Sequence, residues 1–398
     1  MNKSVNHVPG LKRKPCPACT REVLKRGFMR IGIDARMIDW SGVGRYTQNL
    51  LKGLAAVDKE NQYVLFCHHQ SANLAPEAPN FATTIVTHPV FSMSSQLSWA
   101  REVNQANLDI FHSPHFVLPL LFAPSSVVTI HDLIPLLFPG NLRSKAAQMY
   151  YTTMIKLTTK KAERIIAVSN RTKEDLIKNL GISVRKITVI PEAADERYRP
   201  LEKEKGDFRT VLKKYASHQF LLYVGNYKPH KNLIRLVEAF DQALPELPKG
   251  SQLVIVGPRD KRYPEIGRLV KKLALEKSVI LAGYVSEEEL LILYNSATAF
   301  VFPSLYEGFG LPPLEAMACG LPVISSNLSS LPEVVGKAAL SINPEDVEDM
   351  RRAIVGVFSD EELRQDLRRK GLARAKKFSW EKTAEMTLEV YEEVAGEE

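Results

Sequence analysis

The alternation of two kinds of segment constrains the fold of this chain more than any other feature of its sequence. From Met29 onward, short runs rich in Val, Ile and Leu alternate with longer segments whose apolar residues recur at helical spacing. Strands that alternate with helices are typical of a parallel sheet with helices on its faces, the α/β class. A polar, proline-bounded stretch at 191–207 interrupts the series once and marks a linker. We therefore predict two Rossmann-like domains that face a central cleft.

The predicted bounds are 29–195 for the N-terminal domain, 196–217 for the linker and 218–398 for the C-terminal domain with its C-terminal helix. Predicted strands lie at 30–34, 63–67, 109–112, 126–130, 164–169, 186–190, 220–225, 253–257, 278–283, 299–302 and 322–325. Predicted helices include 96–107, 143–161, 172–180, 232–243, 263–275 and 379–394. Ser286 and Glu289 form a capping box, which predicts the start of one more helix.

The composition is that of an ordinary globular protein, with 45% apolar and 25% charged residues in 398. No run approaches the roughly 18 unbroken apolar residues of a membrane span. The net charge of +8 is uneven, because residues 1–200 hold 26 Lys and Arg against 15 Asp and Glu. A basic half suits a phosphorylated substrate or an anionic bilayer, and the cluster at 156–161 beside Tyr150 and Tyr151 predicts reversible membrane contact. Nucleic acid is not an expected partner, because the basic residues are not interleaved with aromatic ones on one face.

Residues 1–28 are polar and basic, and we predict either a disordered tail or a stretch upstream of a true start at Met29. They do not form a signal peptide, because no apolar region follows the charges. Cys16 and Cys19 form a single Cys-x-x-Cys, and no second pair of ligands at matching spacing completes a zinc site. The cysteine spacing also predicts no disulfide framework. We expect a cytoplasmic protein, at most peripheral to the membrane.

The segment 303–326 (PSLYEGFGLPPLEAMACGLPVISS) carries the strongest functional signal. Gly308 and Gly310 form a loop that lets backbone N–H groups approach a ligand, and the two prolines that follow suit the start of a helix. Glu307 lies on this loop and Glu315 in the helix, and ionised carboxylates accept paired hydrogen bonds from vicinal hydroxyls. The pattern indicates a polyhydroxylated, anionic ligand. Two glutamates at this spacing alone also fit a turn residue and a solvated helix residue.

Two further candidate sites follow strands of the first domain, where ligands of open α/β sheets bind. Gly42 and Gly44 come after the first strand and lead into a helix, whose N-terminus favours negative charge. An ordinary strand-to-helix turn is the alternative for this pair. His131 ends a buried strand and faces the same crevice, which favours a functional role, with Asp132 as its orienting hydrogen-bond partner.

The form EGFGLPPLEAMACGLPV at 307–323 resembles the Glu-x7-Glu signature of retaining glycosyltransferases of family 4, and the resemblance extends over residues 29–395. It implies the GT-B fold and a nucleotide-diphosphate sugar as donor. The segments TIHDLIPLLFP at 129–139 and YVGNYKPHKNL at 223–233 look most like bacterial mannosyltransferases of polysaccharide assembly. The resemblance therefore implies GDP-mannose as the favoured donor and a saccharide or lipid-linked saccharide as acceptor. No Asp-x-Asp lies at a strand end, so neither a metal nor another cofactor is expected.

The resemblance also implies roles for individual residues. The implied catalytic residues are His131, Glu307 and Lys231. His131 would approach the transferring sugar, Glu307 would position its hydroxyls and Lys231 would clamp the diphosphate. The implied donor-binding residues are Gly42, Gly44, Asn226, Lys231, Tyr284, Glu307, Gly308, Phe309, Gly310, Leu311 and Glu315. Glu315 would hold the ribose, and the segment around Tyr284 would present backbone groups to the base. Asn226 stands where many members have Arg, so Lys228, His230 and Arg259 are candidates for the missing charge.

Two other enzyme classes fit the same two-domain layout. A sugar-nucleotide epimerase needs additional acid–base carboxylates around the sugar, and a phosphorylase of the glycogen type needs a cofactor lysine. Neither signature is evident in this sequence. A nicotinamide enzyme is disfavoured, because neither half carries Gly-x-Gly-x-x-Gly with an acidic residue about 20 positions on. The prediction is a retaining, metal-independent hexosyltransferase.

Overall fold

The computed structural model describes residues 27–92, 94, 96–121, 124–142, 144–202, 208–216 and 218–396. The predicted basic tail lies outside these residues except for Gly27 and Phe28, and so does the Cys16–Cys19 motif. The described part of the chain forms two parallel sheets flanked by helices, which confirms the predicted fold class.

The first sheet has seven strands in the order β3-β2-β1-β4-β5-β6-β7, all parallel. Their bounds are β1 (Arg30–Asp34), β2 (Gln62–Cys67), β3 (Phe81–Ile85), β4 (Ile110–Ser113), β5 (Ser125–Ile130), β6 (Arg164–Ala167) and β7 (Ile187–Val189). The second sheet has six parallel strands in the order β10-β9-β8-β11-β12-β13. These are β8 (Phe220–Val224), β9 (Gln252–Val256), β10 (Val279–Gly283), β11 (Ala299–Phe302), β12 (Val323–Ser326) and β13 (Leu340–Ile342).

Fourteen α-helices within the described residues cover the sheets. Those that precede β8 are α1 (Val43–Val57), α2 (Gln96–Gln105), α3 (Ile134–Leu137), α4 (Lys145–Lys161), α5 (Asn170–Leu180) and α6 (Phe208–Tyr215). Those that follow it are α7 (Leu233–Ala243), α8 (Glu265–Lys272), α9 (Glu287–Ser296), α10 (Leu311–Ala318), α11 (Leu331–Val335), α12 (Val347–Ser359), α13 (Glu361–Ala375) and α14 (Trp380–Gly396). The capping box of Ser286 and Glu289 is confirmed at the start of α9.

Strands β3 and β13 were not predicted, and both are edge strands. Most side chains of β3 are exposed or half-buried, so its sequence shows no continuous apolar run. Strand β13 has only three residues. Strands that are buried on both faces have continuous apolar sequences, whereas an exposed edge strand need not have one. The sequence pattern therefore did not predict these two strands.

The strand order reverses between β1 and β4 in the first sheet and between β8 and β11 in the second. At such a switch point, connections leave in opposite directions and open a crevice at the carboxyl ends of the strands. The loops after β5 and β11 meet across this crevice, where a Cβ added to Gly308 would lie 2.0 Å from the carbonyl oxygen of His131. The two carboxyl edges therefore face each other, as the cleft prediction requires.

Helix α14 follows the second domain in the chain but packs on the first. A Cβ on Gly53 of α1 would lie 2.6 Å from the carbonyl oxygen of Trp380, so the two helices are in backbone contact. The Tyr391 hydroxyl lies 2.6 Å from Nδ1 of His112 on β4. Thr383 donates a hydrogen bond to the carbonyl of Pro191, at 2.8 Å, where the chain leaves the first sheet. The predicted bounds place this helix in the second domain, because its position in the sequence does not show which sheet it covers.

Candidate functional site

Lys231 and Glu307 form an ion pair at the carboxyl ends of β8 and β11. These strands are neighbours in the second sheet, so the turn after β8 and the glycine loop after β11 are adjacent. The Lys231 Nζ lies 2.6 Å from Glu307 Oε1, and the two side chains are 12% and 11% exposed. Ser329 fixes the backbone of Glu307 by accepting a hydrogen bond from its N–H at 3.1 Å and donating one to its carbonyl at 2.7 Å. The cleft therefore contains a carboxylate that is fixed in position and paired with a lysine ammonium group.

The loop that carries Glu307 is in direct contact with the first domain. The Gly308 carbonyl accepts hydrogen bonds from Ser169 Oγ at 2.5 Å and Thr172 Oγ1 at 3.3 Å, both at the start of α5. Thr172 also donates to the His131 carbonyl at 3.0 Å. Because any side chain on Gly308 would overlap that carbonyl, glycine is required for this approach. Gly310 adopts a φ of 117° where the loop enters α10, a conformation that also favours glycine.

Glu315 is buried on α10 and is held by residues from both domains. Arg45, on the first turn of α1, donates to Glu315 Oε1 at 2.6 Å and to Glu287 of α9 at 2.7 Å. The Tyr294 hydroxyl donates to the other oxygen of Glu315 at 3.0 Å. Burial raises the pKa of Glu315, and Arg45 and Tyr294 offset part of that rise. Each oxygen of this carboxylate therefore accepts one hydrogen bond from the protein and retains a second lone pair.

His131 lies between two hydrogen-bond acceptors. Its Nδ1 is 2.9 Å from Glu192 Oε1, and its Nε2 is 3.0 Å from the carbonyl oxygen of Pro114. Both ring nitrogens must carry a proton to make these bonds, which gives the charged imidazolium. Burial opposes that charge, but the hydrogen bond and the charge of Glu192 outweigh burial and raise the pKa of His131.

The predicted partner of His131 was wrong. Asp132 does not orient the ring, since its carboxylate accepts a hydrogen bond from the N–H of Ile134 at 2.7 Å and starts the turn into α3. Glu192 takes that place from the carboxyl end of β7, in a stretch that the sequence marked only as polar. Its position shortly after the apolar strand β7, which ends at Val189, was the available signal. Arg45 was also missed, although it directly follows the Gly42–Gly44 loop.

The remaining predicted residues lie in different settings. Gly42 has a φ of 75° and open space around it, whereas a Cβ on Gly44 would meet the carbonyls of Met37 and Ile38 at 2.7 and 2.6 Å. Tyr284 is 81% exposed after β10. Phe309, on the glycine loop, is buried in an apolar cluster shared by the two domains, and Leu311, at the start of α10, packs against that cluster. A donor contact by these residues stays a prediction.

Asn226 has a local structural role. Its side-chain oxygen accepts a hydrogen bond from the N–H of Lys228 at 3.2 Å and so shapes the turn after β8. Among the described residues, no group of three or more His, Cys, Asp and Glu side chains is placed to hold a metal ion. In that same part of the chain, no helix is both long and apolar enough to cross a membrane.

The His131–Glu192 pair predicts a pH-dependent contribution to stability. Because the folded-state pKa of His131 is raised, its pairing stabilises the fold fully below its ordinary pKa of about 6.5 and is lost as pH rises through the folded-state value. We expect Glu192→Gln to lower the free energy of unfolding by on the order of 2 kcal/mol at about pH 6 and by less at higher pH. Thermal midpoints of both proteins from about pH 5 to about pH 9 measure this difference.

A matched control is Glu102→Gln, which removes the partner of His88 in a surface pair of 2.8 Å. Surface pairs contribute about 0–1 kcal/mol, so this change should be small at every pH. A stability difference for Glu192→Gln that does not vary with pH would contradict the charged state of His131.

Comparison with known proteins places the chain among sugar-transferring enzymes. Residues 40–198 match the family described as Glycosyltransferase Family 4, and residues 204–374 match Glycosyl transferases group 1. The O-antigen chain mannosyltransferase B of Escherichia coli is 31% identical over 368 residues, 88% of this chain and 96% of that protein. The serotype-specific mannosyltransferase WbdA of Escherichia coli is 34% identical over 269 residues, which are 66% of this chain but 33% of that larger protein.

Solved structures share the fold. Sucrose-phosphate synthase from Thermosynechococcus elongatus superposes with a TM-score of 0.72 at 22% identity, covering 92% of this chain and 99% of the other. HepE of Anabaena, in complex with UDP and glucose, gives a TM-score of 0.73 at 17% identity and the same coverage. Both have two Rossmann-like domains of the GT-B type. At these identities the likeness concerns the fold alone.

Proposed function

We propose that this chain, which belongs to glycosyltransferase family 4, transfers mannose from GDP-mannose to a saccharide or a lipid-linked saccharide with retention of configuration. The observation that carries the proposal is the pairing of Glu307 with Lys231 at the cleft, with the buried Glu315 eight residues further on. Carboxylates suit sugar and ribose hydroxyls, and a lysine suits phosphate. Two relatives, one named as an O-antigen chain mannosyltransferase and one as a serotype-specific mannosyltransferase, support mannose as the transferred sugar.

In the proposed reaction, an acceptor hydroxyl attacks the anomeric carbon from the face that the diphosphate leaves. The bond between that carbon and the phosphate oxygen breaks, and the leaving phosphate takes the proton of the acceptor hydroxyl. Lys231 and the backbone N–H groups of the glycine loop stabilise the charge on the leaving group. Glu307 positions the hydroxyls of the sugar, Glu315 holds the ribose, and the His131 imidazolium lies beside the transferring sugar. These cationic and dipolar groups support a mechanism that needs no metal ion.

The membrane contact predicted from the sequence stays a proposal, but different residues of α4 now support it. Tyr151 is buried against Phe116, with ring centroids 4.6 Å apart, so it is not available to a bilayer. One exposed face of α4 carries Met149, Lys156 and Lys160 at helical spacing. Each basic residue near an anionic surface contributes about 1 kcal/mol, screened by salt.

We expect the full chain to co-sediment with anionic vesicles at low salt and to bind several-fold less after Lys156→Glu with Lys160→Glu. Neutral vesicles are the control for apolar adsorption. Equal sedimentation with both kinds of vesicle, or none with either, would exclude an electrostatic membrane contact through α4.

The activity itself is tested by incubating the purified protein with a panel of nucleotide sugars and a mannose-containing acceptor. We expect transfer from GDP-mannose, an α-linked product by NMR, and unchanged rates after chelation. A faster rate with a uridine-diphosphate sugar would refute the proposal that GDP-mannose is the donor. An inverted product would refute retention, and loss of activity that magnesium or manganese restores would refute metal independence.

A further inference from the structure

We propose that Asp175, on α5 of the first domain, is a positioning residue for sugar transfer, because it holds the loop that carries Glu307. It acts through Tyr306, the residue directly before Glu307 in the second domain. The inference rests on the proposed function in placing Glu307 at the transferred sugar. It adds a residue of the first domain on which the position of that glutamate depends.

Tyr306 and Asp175 form a hydrogen bond between the two domains. Tyr306 follows β11, and its hydroxyl donates to Asp175 Oδ2 at 2.7 Å. Both residues are buried, with exposed fractions of 4% and 2%. Burial raises the pKa of Tyr306, and the hydrogen bond to Asp175 and the charge of that carboxylate raise it further. The hydroxyl therefore keeps its proton and is the donor of this bond.

Asp175 is itself held in one orientation. Arg171, four residues earlier on α5, donates from Nε to the same oxygen of Asp175 at 2.9 Å. The guanidinium carbon of Arg171 also lies 5.6 Å from the centroid of the Tyr306 ring. A buried carboxylate lowers stability unless it is paired, and hydrogen bonds to an ionised acceptor are shorter and stronger than neutral ones. The two donors therefore fix the carboxylate, and the carboxylate fixes the tyrosine.

The residues on both sides of Glu307 are attached to α5. Tyr306 precedes Glu307 and is bound by Asp175, whereas Gly308 follows it and accepts hydrogen bonds from the start of the same helix. The Glu307 carboxylate pairs with Lys231 of the second domain. If the loop leaves α5, Glu307 loses both attachments while its lysine partner stays in the second domain. The position of the carboxylate therefore depends on contact between the domains at α5.

The hydroxyl of Tyr306 is not needed for packing. The ring packs against Phe138, with centroids 5.7 Å apart, and a phenylalanine ring can make the same contact. Replacing a buried polar pair by apolar groups of similar shape is often neutral for stability or stabilising. A hydroxyl–carboxylate pair at this point therefore fits a geometric role, which is to hold one arrangement of the loop when the domains are in contact.

The test compares Tyr306→Phe with Tyr63→Phe. Tyr63 donates a buried hydrogen bond of 2.5 Å to Asp58, and it lies near the amino end of β2, away from the cleft. We expect Tyr306→Phe to lower kcat about 10- to 100-fold, with the KM for GDP-mannose within about threefold of the wild-type value. Tyr63→Phe should leave kcat unchanged even if its thermal midpoint falls.

Two variants of Asp175 separate the loss of the hydrogen-bond acceptor from the loss of charge. Asp175→Ala should lower kcat as Tyr306→Phe does. The double variant should lose little more than either single variant, because both remove the same interaction. Asp175→Asn keeps an acceptor oxygen for the tyrosine and should retain most of kcat. Thermal unfolding shows that each variant is folded.

Amide hydrogen exchange of residues 306–310, followed by mass spectrometry, measures the attachment of the loop without sugar transfer. We expect faster exchange in Tyr306→Phe and Asp175→Ala and wild-type exchange in Tyr63→Phe. Wild-type kcat in Tyr306→Phe, an equal loss in Tyr63→Phe, additive losses in the double variant, or unchanged exchange of the loop would overturn the inference. If exchange rises as expected but the wild type transfers no sugar, the proposed function fails and the attachment of the loop to α5 stands.

Discussion

Glu307→Ala and Lys231→Ala are each expected to reduce sugar transfer about 100- to 1,000-fold at saturating donor. The lysine variant removes the charge that stabilises the leaving phosphate, and the glutamate variant releases the sugar hydroxyls from their position. Glu307→Gln keeps a hydrogen-bonding side chain and should lose less. Initial rates with saturating donor measure the effect, and thermal unfolding shows whether the fold persists.

The control for this pair is Arg369→Ala, which breaks an ion pair of the same 2.6 Å length on the exposed face of α13. That change should leave transfer unaltered, because the pair lies on the solvent side of the second domain. Near-normal turnover in both Glu307→Ala and Lys231→Ala would show that the ion pair at the cleft is structural and that donor binding lies elsewhere.

Gly308→Ala is expected to reduce turnover about 100-fold while each domain remains folded. The added Cβ would lie 2.0 Å from the His131 carbonyl, so the glycine loop and the first domain cannot keep their present contact. Displacing reacting groups by about 1 Å costs on the order of 100-fold in rate. GDP affinity should change much less than turnover, because the pocket for the nucleotide is built mainly from the second domain in the proposed function.

The matched control is Gly267→Ala in α8, where an added Cβ meets nothing within 4 Å. This change should leave turnover intact and stabilise the helix slightly, by roughly 0.5–1 kcal/mol. If Gly308→Ala turns over at the wild-type rate, the close contact between the two domains is not part of the reactive arrangement.

Much of the fold was predictable because central parallel strands are buried on both faces and show continuous apolar runs. The carboxyl ends of those strands then located Glu307, Lys231 and His131 at one cleft. The sequence could not show which side chains pair across the cleft, since Arg45 and Glu315 are 270 positions apart. Asp132 was an unsuitable partner for His131 because its carboxylate accepts a hydrogen bond from the N–H of Ile134 at the start of α3. Only the tertiary structure brings Glu192 beside the ring.

The path of α14 determines how the two domains can move. The chain crosses between them twice, once after β7 and once before α14, and the hydrogen bond from Thr383 to Pro191 holds these crossings side by side. Two adjacent crossings can serve as a hinge, in which a few residues at the ends of elements absorb the rotation of one domain against the other. We therefore expect the cleft to open by a swing about the Pro191–Thr383 contact, with the largest displacement at the far edge of the crevice.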